Sequence, residues 1–218
     1  MTVRDEFSRK VLKAIVPRKE ICIEDDLAFK LKPASSDGKQ LLAKCGIQSE
    51  KGPVIGVNLR TLSKQLSFDI VHSMAQILDQ LVEEFNCQFV FIPFGYGSVS
   101  ERVFDDDRTI ALQLKKFMKK AENLKIISEE HRPADILGLF PHLDAFIGMR
   151  FHSVIFSLIT QTPVVSLIYD TKVKELIKKK HSQLILGTDL PCRDLKSQVL
   201  NSIRQILTNQ LPAHEENS

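Results

Sequence analysis

Ala145-Phe146-Ile147-Gly148-Met149-Arg150-Phe151-His152-Ser153-Val154-Ile155-Phe156-Ser157-Leu158-Ile159 decides how this chain is read. The first four residues are an apolar run of strand length that ends in a glycine. The segment from about Phe151 to Ile159 has the length and apolar spacing of a helix. A strand that is apolar throughout, feeding directly into a helix, belongs to a parallel sheet covered on both faces. Pro163 to Ile168 repeats the strand signal and Thr171 to Lys180 the helix.

The same alternation extends outward in both directions. Upstream, Val54-Ile55-Gly56-Val57-Asn58-Leu59 is a buried strand. Ser67 to Phe85 carries Ile70, Met74, Ile77, Leu78, Leu81 and Phe85 at helical spacing. Gln88 to Ile92 is a strand stopped by Pro93, Gly95 and Gly97. Asp107 to Lys120 is a helix, Leu124 to Ile127 a strand, and Pro133 to Phe140 a short helix with proline in its first turn. Downstream, Leu184 to Leu186 is a last short strand and Ser197 to Leu207 a closing helix. Right-handed crossovers then give an α/β, Rossmann-like doubly wound parallel sheet over residues 49–211.

Residues 1–48 fit this pattern less well. Arg4 to Ile15 is an amphipathic helix, Ile21-Cys22-Ile23 a strand-like piece, and Asp37-Gly38 a turn. That is too little for a domain and reads as the end of an element whose beginning is absent. Residues 212–218 are polar and are expected to be a disordered tail.

Composition narrows the class. The 218 residues are 43% hydrophobic and 26% charged, with a net charge of +3. This is ordinary for a soluble globular protein and too weakly basic for a nucleic-acid binder. The basic stretches Lys115 to Lys120 and Lys172 to Lys180 read as solvated helix faces, with a weak attraction to anionic lipid or polysaccharide as the alternative. Cys22, Cys45, Cys87 and Cys192 show no metal-ligand spacing. Cys22 and Cys87 lie in apolar runs and are expected to be buried thiols in a reducing compartment. The opening MTVRDEFSRK has no apolar signal core. Val154 to Tyr169, broken by Ser157, Gln161 and Pro163, is too polar to span a bilayer. No transmembrane segment and a cytoplasmic location are the expectation.

In a doubly wound sheet, ligands sit beyond the carboxyl ends of the strands. Those positions hold Asn58 and Arg60; Pro93 to Gly97; Gly148 to Ser153; and Tyr169 to Lys172. Arg150 is a planar, permanent cation suited to a carboxylate or phosphate. His152 exchanges a proton near neutral pH. The helix starting near 151 aims its N-terminus at the same spot. Arg60 supplies a second fork. Together they describe a site for a small anion beside a proton donor. Gly95-Tyr96-Gly97 is only a weak phosphate signal. Asp105-Asp106-Asp107 reads either as a helix cap or as a divalent metal site, the cap being the ordinary reading. Lys172 reaches an anion or merely begins a basic helix face.

Gly148-Met149-Arg150-Phe151-His152-Ser153 followed by Thr162-Pro163-Val164-Val165 and Tyr169-Asp170-Thr171-Lys172 resembles the signature region of polysaccharide pyruvyl transferases. Val3-Arg4-Asp5-Glu6, Asp26-Leu27-Ala28-Phe29 and Gly56-Val57-Asn58-Leu59-Arg60 resemble further motifs of that family, so the likeness covers nearly the whole chain. Phe151 stands where the family usually has Leu.

The resemblance implies a two-domain GT-B architecture, of which this chain is the C-terminal, donor-binding half with a remnant of the other half in residues 1–48. It also implies transfer of the enolpyruvyl group of phosphoenolpyruvate onto two hydroxyls of a glycan or lipid-linked sugar acceptor, in cell-wall or exopolysaccharide synthesis. On that reading His152 is catalytic. Arg60, Arg150, Phe151, Ser153, Asn58 and Lys172 bind substrate. The arginines supply the positive charge, so no metal and no cofactor are expected beyond the donor itself. The rival readings are a GT-B glycosyltransferase using a nucleotide sugar, for which Glu175 is the sole acidic ribose candidate near the last loops, and a non-catalytic fragment or subunit completed by a missing N-terminal domain or partner.

Overall fold

The computed structural model describes residues 1–34, 38–97, 106–180 and 185–208. The expected tail at 212–218, Asp37 of the expected turn, Asp105 and Leu184 lie outside the described residues. The chain divides into two compact units, Met1–Lys32 and Pro33–Ser218.

The first unit is a small βαβ arrangement. Strands β1 (Thr2–Val3) and β2 (Cys22–Ile23) pair in parallel, joined through helix α1 (Glu6–Ile15). Asp5 caps α1 by accepting the Ser8 N–H at 2.6 Å, and Asp26 accepts from Ala28 N–H at 3.0 Å and from Arg4 Nη1 at 2.7 Å. Phe7, Val11 and Ile15 follow one another at i, i+4 and i+8 and are all exposed. Cys22 is also exposed, against expectation. A two-residue strand in a two-stranded sheet has too little cover to bury it.

The second unit holds helix α2 (Gly38–Lys44), then a six-stranded, all-parallel sheet of β3 (Val54–Asn58), β4 (Gln88–Phe91), β5 (Leu124–Ile126), β6 (Ala145–Gly148), β7 (Val164–Ile168) and β8 (Ile185–Asp189). Its spatial order is β5-β4-β3-β6-β7-β8. The helices between and after these strands are α3 (Lys64–Phe85), α4 (Asp107–Phe117), α5 (Pro133–Leu137), α6 (Phe151–Thr160), α7 (Thr171–Lys180) and α8 (Leu195–Leu207). The expected fold class therefore stands. Both strand faces are buried in β3, β4 and β6, which is why their sequences are apolar without alternation. On one face Ile55, Val57, Phe89, Phe91, Ile147, Val165 and Leu167 meet α3, α4 and α8. On the other, Phe140 stacks on Phe146 at 4.8 Å between ring centroids and meets Phe156 edge-on at 5.6 Å.

Several boundaries differ from expectation for identifiable reasons. The compact units part after Lys32 rather than after residue 48, because Ala34 and residues 38–48 are tied to the large sheet unit. Ala34 N–H donates to Ala134 O at 2.9 Å, Gln48 N–H donates to Gln88 Oε1 at 2.9 Å, and Leu42 and Ile47 are buried. Gly38 opens a helix instead of closing a turn. Helix α4 stops at Phe117, three residues early, because the buried carboxylate of Asp79 draws away the Lys119 and Lys120 N–H groups at 2.9 and 2.8 Å.

Candidate functional site

The strand order reverses direction between β3 and β6, where Asn58 pairs in register with Gly148. This is the crevice in which open α/β sheets bind ligands. Three loops meet there: the one after β3, the one after β4 and the turn from β6 into α6.

Asn58 ends β3 completely buried, and its side chain joins the three. Its Nδ2 donates to Ile92 O and to Asp107 Oδ2, both at 3.1 Å, and its Oδ1 accepts the Arg150 N–H at 3.1 Å. Asp107, whose side chain is 1% exposed, accepts the N–H groups of Phe94 and Gly95 at 3.0 Å each. Arg150 then grips the same carboxylate through Nη2 at 2.6 Å and Nε at 3.2 Å. A buried carboxylate without partners is expensive, and this one has amide, carboxamide and guanidinium donors at once. The Asp triplet thus divides its labour. Asp106 caps α4 by accepting the Arg108 N–H at 2.9 Å, while Asp107 turns inward. No group of three or more metal-ligating side chains occurs among the described residues.

Arg60 is held by Met149 and Tyr169. Its N–H lies 3.4 Å from Met149 Sδ, its Nη1 donates to Tyr169 Oη at 3.0 Å, and its guanidinium carbon sits 5.2 Å from the centre of the Tyr169 ring. A cation over an aromatic face with a fixed hydroxyl partner is a preorganised cation. Arg150 is also the residue before α6, so it stands at the positive end of that helix, where the N-cap makes no side-chain hydrogen bond.

The remaining expected residues are placed as follows. His152 is exposed in the first turn of α6, with its ring 5.6 Å from that of Phe151. Ser153 is buried and donates its hydroxyl to Arg150 O at 2.6 Å. Gly148 packs so tightly on it that a Cβ would come within 2.8 Å of Ser153 Oγ, a close approach only glycine permits. Lys172 is exposed at the start of α7, where its N–H donates to Asp170 Oδ1 at 2.8 Å. In the Gly95-Tyr96-Gly97 loop, the Gly95 N–H donates to Asp107. Tyr96 donates to Glu129 O at 3.2 Å, and burial, ahead of nearby charges, pushes its phenol up to about 12. Glu175, the ribose candidate, is exposed within α7.

Residue-by-residue reasoning missed Asp107 and Tyr169 as the partners of the two arginines. The available signal was Asn58, a polar side chain in an otherwise apolar buried strand, which demands buried polar partners.

A sequence model of the polysaccharide pyruvyl transferases matches residues 1–171. The chain belongs to the polysaccharide pyruvyl transferase family. No curated protein sequence matches it. Among solved structures it is similar to E. coli ADP-heptose LPS heptosyltransferase II, with a TM-score of 0.61 and 13% identity over 82% of this chain and 53% of that one. It is also similar to the UDP-forming α,α-trehalose-phosphate synthase of Burkholderia xenovorans, with a TM-score of 0.58 and 11% identity over 96% of this chain and 53% of that one. Sucrose-phosphate synthase of Thermosynechococcus elongatus gives 0.57 and 14% over 95% and 49%. These neighbours are GT-B glycosyltransferases, and at such identities the likeness concerns the fold. The chain spans about half the length of each. No helix among the described residues is long and apolar enough to cross a membrane.

Proposed function

We propose that this chain is the donor-binding part of a polysaccharide pyruvyl transferase and that its donor is phosphoenolpyruvate. The observation that carries the reading is the meeting, at the switch point of the sheet, of Arg60, preorganised on Tyr169, with the N-terminus of α6, whose preceding residue Arg150 is fixed by Asp107. A small molecule bearing both a carboxylate and a phosphate suits the Arg60 guanidinium beside a helix dipole. The rest of the transferase, including the surface for a glycan or lipid-linked sugar, would come from another domain or subunit.

The reaction assigns each group a task. His152 donates a proton to the methylene carbon of the donor, and C2 becomes electrophilic. One acceptor hydroxyl forms a bond to C2, and its proton returns to His152. The second hydroxyl then displaces phosphate from the same carbon, its proton leaving with the phosphate, and a pyruvate ketal results. Charge accumulating on the departing phosphate is met by Arg60, the α6 N-terminus with the Phe151 backbone, and Lys172. Arg150 has a second duty, because Asp107 already balances much of its charge: it fixes the turn from which His152 projects. Asn58 and Ser153 act through that turn, one bonded to the Arg150 N–H and the other to its carbonyl, rather than through the substrate.

Isothermal titration with phosphoenolpyruvate tests this. Saturable binding by the parent chain, weakened by roughly tenfold or more in Arg60→Ala through loss of a charge-assisted contact, is the expected result. His152→Ala should bind almost normally, since its role is proton transfer. Binding of UDP- or GDP-sugars without phosphoenolpyruvate would replace the proposal with the glycosyltransferase reading that the structural neighbours favour.

A further inference from the structure

In the second unit every large hydrophobic residue left exposed among the described residues lies on α3 or α4. These are Phe68 at 52%, Leu112 at 63% and Phe117 at 41% relative exposure. Phe68 and Phe117 meet edge-on with centroids 5.6 Å apart, and His72 stacks on Phe68 at 6.1 Å, so one aromatic cluster bridges the two helices at the surface. Such a concentration is not the scatter of single apolar side chains that a surface ordinarily shows.

Its surroundings are basic. Lys115 and Lys116 flank Leu112 on the outward arc of α4, and Lys119 and Lys120 continue beyond its end; Lys64 opens α3. None of these five lysines is in an ion pair among the described residues. Of the acids on the same two helices and their ends, Asp107 is buried, Asp79 faces the backbone after α4, Glu84 pairs with Arg204 and Asp106 with Arg108; Asp69, bonded to Gln65, and Glu83 remain exposed on α3, and Glu122 follows the lysines.

We propose that the α3–α4 face docks on an anionic lipid bilayer. Exposed Phe and Leu side chains enter the boundary between headgroups and acyl chains, while lysine stems lie along it and present ammonium groups to lipid phosphates. Lysine, a compact charge without a fixed fork, suits a fluid headgroup layer better than a single shaped ligand. The proposal does not depend on which donor the switch-point site takes.

The test is sedimentation of the full chain with vesicles of phosphatidylcholine alone and of phosphatidylcholine mixed with phosphatidylglycerol. Binding is expected only to the mixed vesicles and weakens as salt rises. Lys115→Glu/Lys116→Glu should lower partitioning roughly tenfold or more. Phe68→Ser/Phe117→Ser should abolish binding that persists at high salt. Lys178→Glu together with Lys179→Glu, on α7, makes the same change in net charge and should behave like the parent. Circular dichroism checks that each variant is folded. Absence of binding to mixed vesicles, equal loss in the α7 variant, or no effect of the phenylalanine changes each overturns the proposal. So does a self-association removed by the same phenylalanine changes, which would assign the face to a second copy.

Discussion

Asp107 sits at the junction of three loops and answers to residues 43 and 49 positions away, Arg150 and Asn58. Removing it leaves a guanidinium and two backbone amides short of an acceptor in a buried place. Asp107→Ala should therefore lower the free energy of unfolding by about 3–5 kcal/mol, the usual cost of breaking a buried ion pair from one side. Urea denaturation measures it, and a loss no larger than that of an exposed substitution would show the carboxylate to be dispensable. At this scale the sequence was half legible. Arg60, Arg150 and His152 stood out because their chemistry is unusual at a strand end. Which of them would be ion-paired depended on a partner from another loop, and a helix-capping triplet gives no hint that its third member turns inward.

Helices α3 and α8 are joined at the surface by Arg204 and Glu84, with Nη2 to Oε1 at 2.6 Å and Nε to Oε2 at 2.8 Å. The hydrogen bonds from Arg204, then from Gln80, hold the Glu84 carboxyl down at about 2 against an ordinary 4.5. A depressed carboxyl contributes stability that is present above its unfolded value and is lost as pH falls through the folded one. Between pH 4.5 and about 2 the parent should therefore lose stability more steeply than Arg204→Ala. Melting temperatures across that range check it, and parallel curves would refute it. The effect is small because the pair is exposed and screened. Elements were the most legible scale in the sequence. Strands buried on both faces announce themselves as unbroken apolar runs, and α3 does so by its spacing. Ends were harder to read: α4 is cut short by Asp79, a residue on another helix, and α2 begins at a glycine that ordinarily marks a turn.

At the scale of the whole molecule, the units differ in how they treat their apolar residues. The sheet unit hides nearly all of them, whereas Phe7, Val11 and Ile15 of α1 are exposed and no residue of that helix is buried. Phe7→Ser/Ile15→Ser should leave the unfolding free energy of the sheet unit within about 0.5 kcal/mol, since surface changes away from packing features cost little. A large drop on denaturation would show that α1 has a packing partner. The parallel sheet itself was readable from one chain because local pattern and topology agree, while the division after Lys32 followed from tertiary bonds that no local pattern records. The same sheet order has a consequence in time. Arg150 closes on Asn58 across 92 positions, so the junction cannot exist until β6 has docked beside β3. A chain emerging from the ribosome has its first three sheet strands available long before that, with Asp107 still facing water. The switch-point crevice thus assembles only once β6 has docked, and its completion reports that the two halves of the sheet have found each other.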